Sequence, residues 1–169
     1  MTGASREHNL IALNVAGELR NRFRGRPCGV YQSDMRVKVS PTNFYTYPDV
    51  VALCGTPEFE DASVDTRLTP VVLVAVLSPS TERDDRGEKF AHYRRLLSLR
   101  EYVLVAPDRA RAEHYAYRGE QWVLTVAYGL AATLALPALD GALPLAEVYE
   151  RVAPFPDEPP TRDGPAPGP

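Results

Sequence analysis

The sequence has few of the residues that build covalent frameworks or membrane spans. Its 169 residues include only 2 cysteines, Cys28 and Cys54, which lie far from each other and from the histidines along the chain. We therefore expect two separate thiols rather than a disulfide framework or a zinc site. The longest apolar run, residues 71–77, is too short to span a bilayer, and the N-terminus lacks the regions of a signal peptide. These absences predict a cytoplasmic protein without a membrane partner.

The motifs of several large enzyme classes are also missing. The sequence has no G-x-G-x-x-G, P-loop or G-x-S-x-G motif, so nucleotide-binding and serine-hydrolase functions have no support. Lysine is scarce too, because all basic residues other than Lys38 and Lys89 are arginines. The net charge of −3 neither requires nor excludes nucleic acid, since binding depends on how basic residues cluster rather than on their sum.

Proline is abundant instead, and its placement divides the chain. Seven of the 16 prolines fall in the last 16 residues, 154–169, where they alternate with glycine and charged residues. Such a segment cannot bury enough apolar surface to offset the entropy lost on ordering it. We therefore predict one folded domain, residues 1–153, followed by a disordered Pro-rich tail, residues 154–169.

Hydrophobic spacing in the first half of the chain predicts one helix and several strands. Apolar residues recur every four positions within residues 5–23, which is typical of an amphipathic helix with Ser5 as its N-cap. Residues 35–39 alternate apolar and polar as in a strand with one buried face, and residues 41–48 are rich in turn formers. The unbroken aliphatic run at 70–77 favours a central strand that is covered on both faces.

The second half of the chain predicts a helix and then further strands. The helix begins between residues 80 and 85 and has Phe90, Tyr93 and Leu97 on one face. The later elements are a strand at 100–107, a hairpin at 112–127, a short apolar segment at 133–136 and a last helix led by Pro144. The order α, β, β, β, α, β, β, β, α predicts an α/β fold with a mixed central sheet flanked by helices.

Three short motifs separate this chain from a generic α/β protein. They are Tyr47-Pro48-Asp49 before an apolar run, Val74-Ala75-Val76-Leu77-Ser78 in the central strand, and Asp85-Arg86-Gly87-Glu88-Lys89 in the next helix. With VLSPST, DRGEKF and LREY, they resemble the Uma family of restriction endonucleases, the DUF820 type, over residues 3–152. The resemblance implies a PD-(D/E)XK restriction-endonuclease-like core and metal-dependent hydrolysis of DNA phosphodiester bonds.

The resemblance also implies roles for individual residues. Asp49 matches the family's metal-binding aspartate, and Lys89 matches its lysine, which assists the attacking water. The backbone carbonyl of Val76 is implied as a further metal ligand. The expected ion is Mg²⁺ or Mn²⁺, because a hard cation with oxygen ligands polarises the phosphate and lowers the pKa of a bound water. Without the resemblance, Asp49 would be interpreted as a turn residue and Lys89 as a solvated helix residue.

One position departs from the family pattern V-E-V-L-S. Ala75 stands where the family has its second metal-binding glutamate, and a methyl group cannot bind a metal. We therefore expect metal affinity and hydrolysis to be strongly reduced, and the alternative is a catalytically dead binding or scaffold protein. Carboxylates of the following helix could substitute only at a different metal position; they are Glu82, Asp84, Asp85 and Glu88. The hairpin that precedes the first helix in the family is also expected to be absent.

The predicted partners are DNA and a second copy of the chain. The predicted nucleic-acid contacts are arginines, which bind phosphates well. They are Arg20, Arg22, Arg24 and Arg86. Arg86 could instead pair with Glu82, four residues earlier on the helix. His8, near the start of the first helix, could approach the site, but a surface or capped histidine is expected. Duplex cleavage needs two sites, so the resemblance implies a homodimer acting on duplex DNA.

Overall fold

A computed structural model describes residues 4–56, 58, 66–67 and 69–155. Within these residues the strands, in chain order, are β1 (Cys28–Gln32), β2 (Arg36–Val39), β3 (Phe44–Thr46), β4 (Val50–Cys54), β5 (Thr66–Arg67), β6 (Val72–Val76), β7 (Glu101–Val105), β8 (Arg111–Tyr117), β9 (Trp122–Tyr128), β10 (Thr133–Leu136) and β11 (Gly141–Pro144). The α-helices are α1 (Arg6–Arg22), α2 (Glu82–Arg86), α3 (Glu88–Tyr93) and α4 (Leu145–Val148). The predicted α/β class is confirmed.

A six-stranded mixed sheet forms the centre of the fold, in the order β1-β4-β6-β7-β8-β9. Strands β6 and β7 run parallel within it, and the other neighbours are antiparallel. Every residue of β6 and β7 is buried. Parallel strands that are covered on both faces have continuous aliphatic sequences, which is why the run at 70–77 predicted the central strand correctly.

The two faces of the sheet carry different helices. Helix α1 covers one face with Ile11, Val15 and Leu19, all fully buried, in one cluster with the even-numbered valines of β6. Helix α3 covers the other face, where Phe90 and Tyr93 join the odd-numbered residues of β6. Because side chains alternate along a strand, Ala75 projects toward α3 and its neighbour Val76 toward α1.

Smaller elements extend the sheet at both ends. Strands β3, β2 and β5 form a three-stranded sheet, and β10 pairs with β11. Helix α4 follows Pro144 directly, as predicted. Its carboxyl end is tied to α1, because the Asn14 side-chain amide donates to the carbonyls of Val148 and Glu150, each at 3.0 Å.

The structure corrects the predicted second helix. It is interrupted at Gly87, which has φ −104° and ψ −97° and separates α2 from α3. A Cβ at this position would lie 3.0 Å from the Arg83 carbonyl oxygen, so the close approach favours glycine. Phe90 and Tyr93 are buried as predicted, but Leu97 lies beyond α3 and is 91% exposed. Its assignment to the apolar face was wrong, since the helix has ended four residues earlier.

Strand β1 has no clear sequence pattern and was not predicted. Without this strand, the disulfide that it makes possible could not be predicted either. Strand β1 pairs antiparallel with β4, which places Cys28 directly opposite Cys54. The two residues form a disulfide across a sequence separation of 26. The expectation of separate thiols was wrong, because only the register of the two strands brings the cysteines together. Strand β3 was likewise expected to be part of a turn-rich connection.

Only the first residues of the predicted tail, residues 154–169, are described. Among them, Phe155 packs against Tyr149, with ring centroids 5.2 Å apart. Residues 156–169 lie outside the described residues, so the domain boundary and the disorder of the tail stay predictions. No helix in the part of the chain that the structure describes has both the length and the apolar character to cross a bilayer. The cytoplasmic location also stays a prediction.

Candidate active site

Asp49 lies at the end of the central sheet, beside the last residues of β6. Strands β4 and β6 are antiparallel with Val50 opposite Val74, so the next pair outward in this register is Asp49 with Ala75. The Asp49 Oδ2 atom accepts a hydrogen bond of 2.7 Å from the backbone amide of Val76. This bond fixes the orientation of the carboxylate and leaves Oδ1 on the other side. The predicted proximity of Asp49 to the motif in β6 therefore exists.

His8 reaches the same carboxylate from the first turn of α1. Ser5 caps this helix by accepting a hydrogen bond of 3.1 Å from the His8 backbone amide. The imidazole Nε2 atom lies 3.4 Å from Asp49 Oδ1, and its side chain is only 19% exposed. The expectation of a surface histidine was therefore wrong. One signal was present in the sequence, because His8 continues the buried stripe of Ile11, Val15 and Leu19 by one helical turn.

The contact with Asp49 shifts the titration of the imidazole. The pKa of His8 is raised above 6.5, chiefly by hydrogen bonding to Asp49, against an opposing effect of burial. Smaller contributions come from the Asp49 charge, from hydrogen bonding to the main chain of Val76, and from the charge of Asp85.

Lys89 lies on α3 and is held by an acidic residue of α2. Its Nζ atom lies 2.7 Å from Asp85 Oδ1 and 3.8 Å from Asp84 Oδ2. The Asp85 residue is only 3% exposed, and its carbonyl accepts a 3.0 Å hydrogen bond from the Tyr102 hydroxyl. The Asp85 carboxylate therefore links α2 to α3 through Lys89. The approach of Lys89 to Asp49 stays a prediction.

Ala75 lines this region without contributing a polar group. It is 9% exposed and belongs to the apolar cluster beneath α3, beside Leu73 and Leu77. Its neighbour on the parallel strand β7 is Leu104, which is fully buried. The position that would carry the second carboxylate of the family pattern is therefore an apolar surface next to Asp49.

Comparisons with known proteins identify relatives of the chain. The model of the family Uma2, described as "Putative restriction endonuclease", matches residues 1–146. The chain belongs to the Uma2 family. It is 35% identical over 130 residues to the uncharacterized protein sll1609 of Synechocystis sp., covering 76% of this chain and 73% of that one. It is 29% identical over 153 residues to the uncharacterized protein slr1290 of the same organism, covering 90% and 80%.

A solved structure shares the fold. It is a "putative nuclease belonging to DUF820" from Anabaena variabilis, which superposes with a TM-score of 0.73 at 14% sequence identity. The match covers 90% of this chain and 85% of that one. The restriction-endonuclease-like fold implied by the sequence motifs is confirmed, and membership in Uma2 supports a nuclease-like function.

Restriction-endonuclease-like families such as Uma2 generally use divalent metals, and the described residues fit such an ion poorly. Among them, no group of three or more His, Cys, Asp or Glu side chains could hold a metal. Asp49 faces the Val76 amide with one oxygen and His8 with the other. The carboxylate of Asp85 is bonded to Lys89, and Ala75 offers no ligand. Mg²⁺ is usually held by one or two carboxylates together with waters, and here Asp49 is a single carboxylate whose two oxygens already have partners.

Most of the carboxylates of α2 and α3 that could replace the missing glutamate bind basic side chains instead. Glu82 binds the Arg86 guanidinium, as the spacing of four residues predicted. Arg86 also donates to both oxygens of Glu113. Its Nε atom lies 3.2 Å from Oε1 and 3.1 Å from Oε2, and its Nη2 atom lies 2.7 Å from Oε1. Glu113 comes from β8 and was missed, because a contact across 27 residues leaves no local pattern. The guanidinium of Arg86 therefore already donates to two carboxylates. Its contact with DNA stays a prediction.

The predicted arginine cluster lies at the opposite end of α1 from His8. Arg20, Arg22 and Arg24 are all exposed, and Arg22 pairs with Glu18 at 3.0 Å. At 1.5 Å per residue, Arg20 is ~18 Å along the helix axis from His8. The cluster is therefore separate from the site around Asp49, and its role in binding nucleic acid stays a prediction.

The His8–Asp49 contact predicts a specific pH response. Asp49→Asn should lower the midpoint of the His8 imidazole titration toward 6.5, because the largest cause of the raised pKa is removed. The raised folded-state pKa means that the pair stabilises the fold fully below the unfolded-state pKa. This stabilisation is lost as the pH rises through the folded-state value.

The measurement is an NMR titration of the His8 ring protons. Asp84→Asn serves as the matched control, because Asp84 is half exposed and is not among the causes of the His8 shift. An unchanged His8 midpoint in Asp49→Asn would contradict the described contact.

Proposed function

We propose that this Uma2 protein binds duplex DNA and hydrolyses its phosphodiester bonds in a metal-dependent reaction. We propose further that the rate of this hydrolysis is strongly reduced. The observation that carries the proposal is the methyl group of Ala75 next to Asp49. Hydrolysis of a phosphodiester needs a cation to polarise the phosphate and to generate hydroxide near neutral pH. Asp49 alone would hold Mg²⁺ or Mn²⁺ weakly, because these ions select sites by the number and geometry of oxygen ligands.

In the proposal, Lys89 is the cation that assists the reaction. Its side chain is 25% exposed, so it stays accessible, and the buried carboxylate of Asp85 binds its ammonium group at 2.7 Å. A fixed ammonium can stabilise charge that develops on a phosphate oxygen or orient a water molecule. In the proposal, Lys89 serves this role and Asp85 positions it.

DNA contacts beyond the site would come from the exposed arginines of α1. A distance of ~18 Å between Arg20 and His8 corresponds to about five base pairs, at 3.4 Å per base pair. One duplex could therefore contact the cluster and the site together. Cleavage of both strands would require two sites, so the proposal includes a homodimer on duplex DNA, to be measured by analytical ultracentrifugation.

The second candidate is a binding or scaffold protein that has lost catalysis entirely. It is favoured by the same Ala75 and by the engagement of both Asp49 oxygens. The two candidates share DNA binding and differ in hydrolysis, so one pair of assays separates them.

The experiment combines plasmid nicking with a duplex-binding measurement on the unaltered chain. We expect salt-dependent binding and slow nicking that requires Mg²⁺ or Mn²⁺ and disappears in Asp49→Asn. Replacing Arg20, Arg22 and Arg24 together with alanine should reduce the slope of log affinity against log salt by about 0.9 for each phosphate that these arginines neutralise. Binding without any nicking would favour the scaffold candidate, and a chain that neither binds nor nicks DNA would overturn both.

A further inference from the structure

Strand β9 forms one end of the six-stranded sheet and has an uncharged sequence, WVLTVAY. Among the described residues it pairs with β8 alone, so its other edge faces no further strand there. Proteins usually protect such an edge with charged side chains, proline or a bulge, because an open edge pairs readily with another chain. Strand β9 contains no charged residue and no proline, and its register with β8 is continuous over its whole length. This edge is therefore suited to pairing.

The hydrogen bonds that flank β9 show which of its backbone groups face the open edge. The Arg118 amide donates to the Gln121 carbonyl at 2.8 Å, and the Gly129 amide donates to the Ala110 carbonyl at 2.8 Å. Backbone groups along an antiparallel strand alternate between its two sides, so the odd-numbered residues of β9 bond to β8. The even-numbered residues direct their N–H and C=O groups to the open edge; they are Trp122, Leu124, Val126 and Tyr128.

These four residues complement one another in a symmetric pairing of two β9 strands. When the strands run antiparallel with Thr125 opposite its counterpart, Trp122 lies opposite Tyr128, and Leu124 lies opposite Val126. Each such pair exchanges two hydrogen bonds, so about eight backbone hydrogen bonds form and every outward group of the strand is used. A shift of the register by one or two residues leaves some of these groups unpaired.

The side chains favour the same pairing. Val123 and Leu124 are 38% and 49% exposed, and they project to opposite faces of the sheet beside the exposed Thr125. The most exposed part of β9 is therefore the part that the symmetric pairing places at its centre, where apolar surface on both faces would be removed from water. Because the strand has no charged residue, it meets no like charge when it faces its own copy.

A second copy also fits this edge better than the Pro-rich end of the same chain. Seven of the 16 residues in 154–169 are prolines. Proline has no backbone N–H and cannot supply the donors that the carbonyls of an open edge accept. The observations thus favour β9 of another chain as the occupant.

We infer that two chains form a dimer through β9, paired antiparallel about a two-fold axis at Thr125, so that one sheet continues across both chains. The inference rests on the proposed function for the existence of a homodimer and assigns its interface. The axis is perpendicular to the sheet, so the faces that carry α1 lie on the same side in both chains.

The test is analytical ultracentrifugation of the full-length chain and of charge variants at Thr125. We expect a dimer for the unaltered chain. Thr125→Arg should weaken dimerisation at least about 100-fold, because the axis brings two like charges together. Thr125 is exposed, so this change should leave the fold intact. Gln32→Arg is the matched control and should stay dimeric, because Gln32 is an exposed residue of β1, at the other end of the sheet.

A mixing experiment tests the register itself. Thr125→Glu should also be monomeric alone, and an equimolar mixture of Thr125→Arg and Thr125→Glu should form a heterodimer, because opposite charges then meet at the axis. A mixture that stays monomeric would overturn the symmetric register. Equal dimerisation of Thr125→Arg and the unaltered chain, or an unaltered chain that is monomeric at millimolar concentration, would overturn the interface.

Hydrogen exchange provides a measurement on the unaltered chain alone. The amides of Leu124 and Val126 should exchange more slowly as the protein concentration rises, whereas the Thr125 amide, which bonds to β8, should be protected throughout. Slow exchange of Leu124 and Val126 in a monomer would assign the edge to another segment of the same chain and contradict the inference. DNA binding is measured separately: a dimer that does not bind DNA overturns the proposed function alone, and a DNA-binding dimer that Thr125→Arg does not dissociate overturns this inference alone.

Discussion

Ala75→Glu should convert the protein into an active Mg²⁺-dependent nuclease, with plasmid nicking at least about 100-fold faster than that of the unaltered chain. The variant would place a second carboxylate opposite Asp49 at the end of β6. A bound cation contributes several kcal/mol of charge stabilisation in phosphoryl chemistry, and each 1.36 kcal/mol corresponds to about tenfold in rate. The measurement is the rate of conversion of supercoiled plasmid to nicked circles at fixed Mg²⁺.

Ala75→Gln is the matched control, because it has the size of glutamate without the charge. It should remain as slow as the unaltered chain. The glutamate variant should also be less stable without metal, since Ala75 is 9% exposed and burying a carboxylate is costly. Added Mg²⁺ should restore this stability in the glutamate variant alone. A folded Ala75→Glu variant that binds Mg²⁺ and nicks no faster than Ala75→Gln would contradict the assigned role of position 75.

Glu113→Ala should give a large loss of stability. The Glu113 side chain is only 4% exposed and binds the guanidinium groups of both Arg86 and Arg111. Removing one partner of a buried ion pair typically costs about 3–5 kcal/mol. Because the two arginines are 30% and 21% exposed, water solvates them in part, and we expect a loss of about 2–3 kcal/mol. The midpoint of thermal unfolding should fall by roughly 4–12 °C for a chain of this size.

Glu82→Ala is the control for this prediction, because its side chain is 45% exposed and pairs with the same Arg86. Surface pairs contribute about 0–1 kcal/mol, so this variant should melt within a few degrees of the unaltered chain. Burial alone would raise the pKa of Glu113, but hydrogen bonds and charges from Arg86 and Arg111 outweigh it and lower the pKa. The stabilisation is therefore present above the unfolded-state pKa and is lost as the pH falls through the folded-state value. Equal losses of stability in both variants would contradict this account of Glu113.

Local periodicity predicted the elements whose burial follows a simple repeat. The spacing of Ile11, Val15 and Leu19 identified α1, and the aliphatic run identified β6. Patterns failed where packing depends on partners distant in sequence. Strand β1 is intermediate in burial along most of its length and shows no alternation. Leu97 fits the helical spacing of Phe90 and Tyr93. That spacing cannot show that the helix is interrupted at Gly87 or that α3 ends at Tyr93.

In the candidate site too, local patterns predicted some residues, and contacts between residues distant in sequence were missed. The short motifs indicated Asp49 and Ala75, which the register of β4 and β6 places side by side. The spacing of four residues predicted the Arg86–Glu82 pair. The roles of His8 and Glu113 depend on how α1 and β8 pack against the central strands. Such contacts join residues 41 and 27 positions apart, so no local pattern specifies them.

Calorimetric titration of Mg²⁺ into the unaltered chain and into Ala75→Glu, at one pH and salt concentration, tests the central claim most directly. The claim is that the nuclease site around Asp49 lacks one carboxylate at position 75. It predicts much weaker Mg²⁺ binding by the unaltered chain than by the glutamate variant, which should bind one ion or more per chain saturably. Tight Mg²⁺ binding by the unaltered chain, abolished by Asp49→Asn, would contradict the claim.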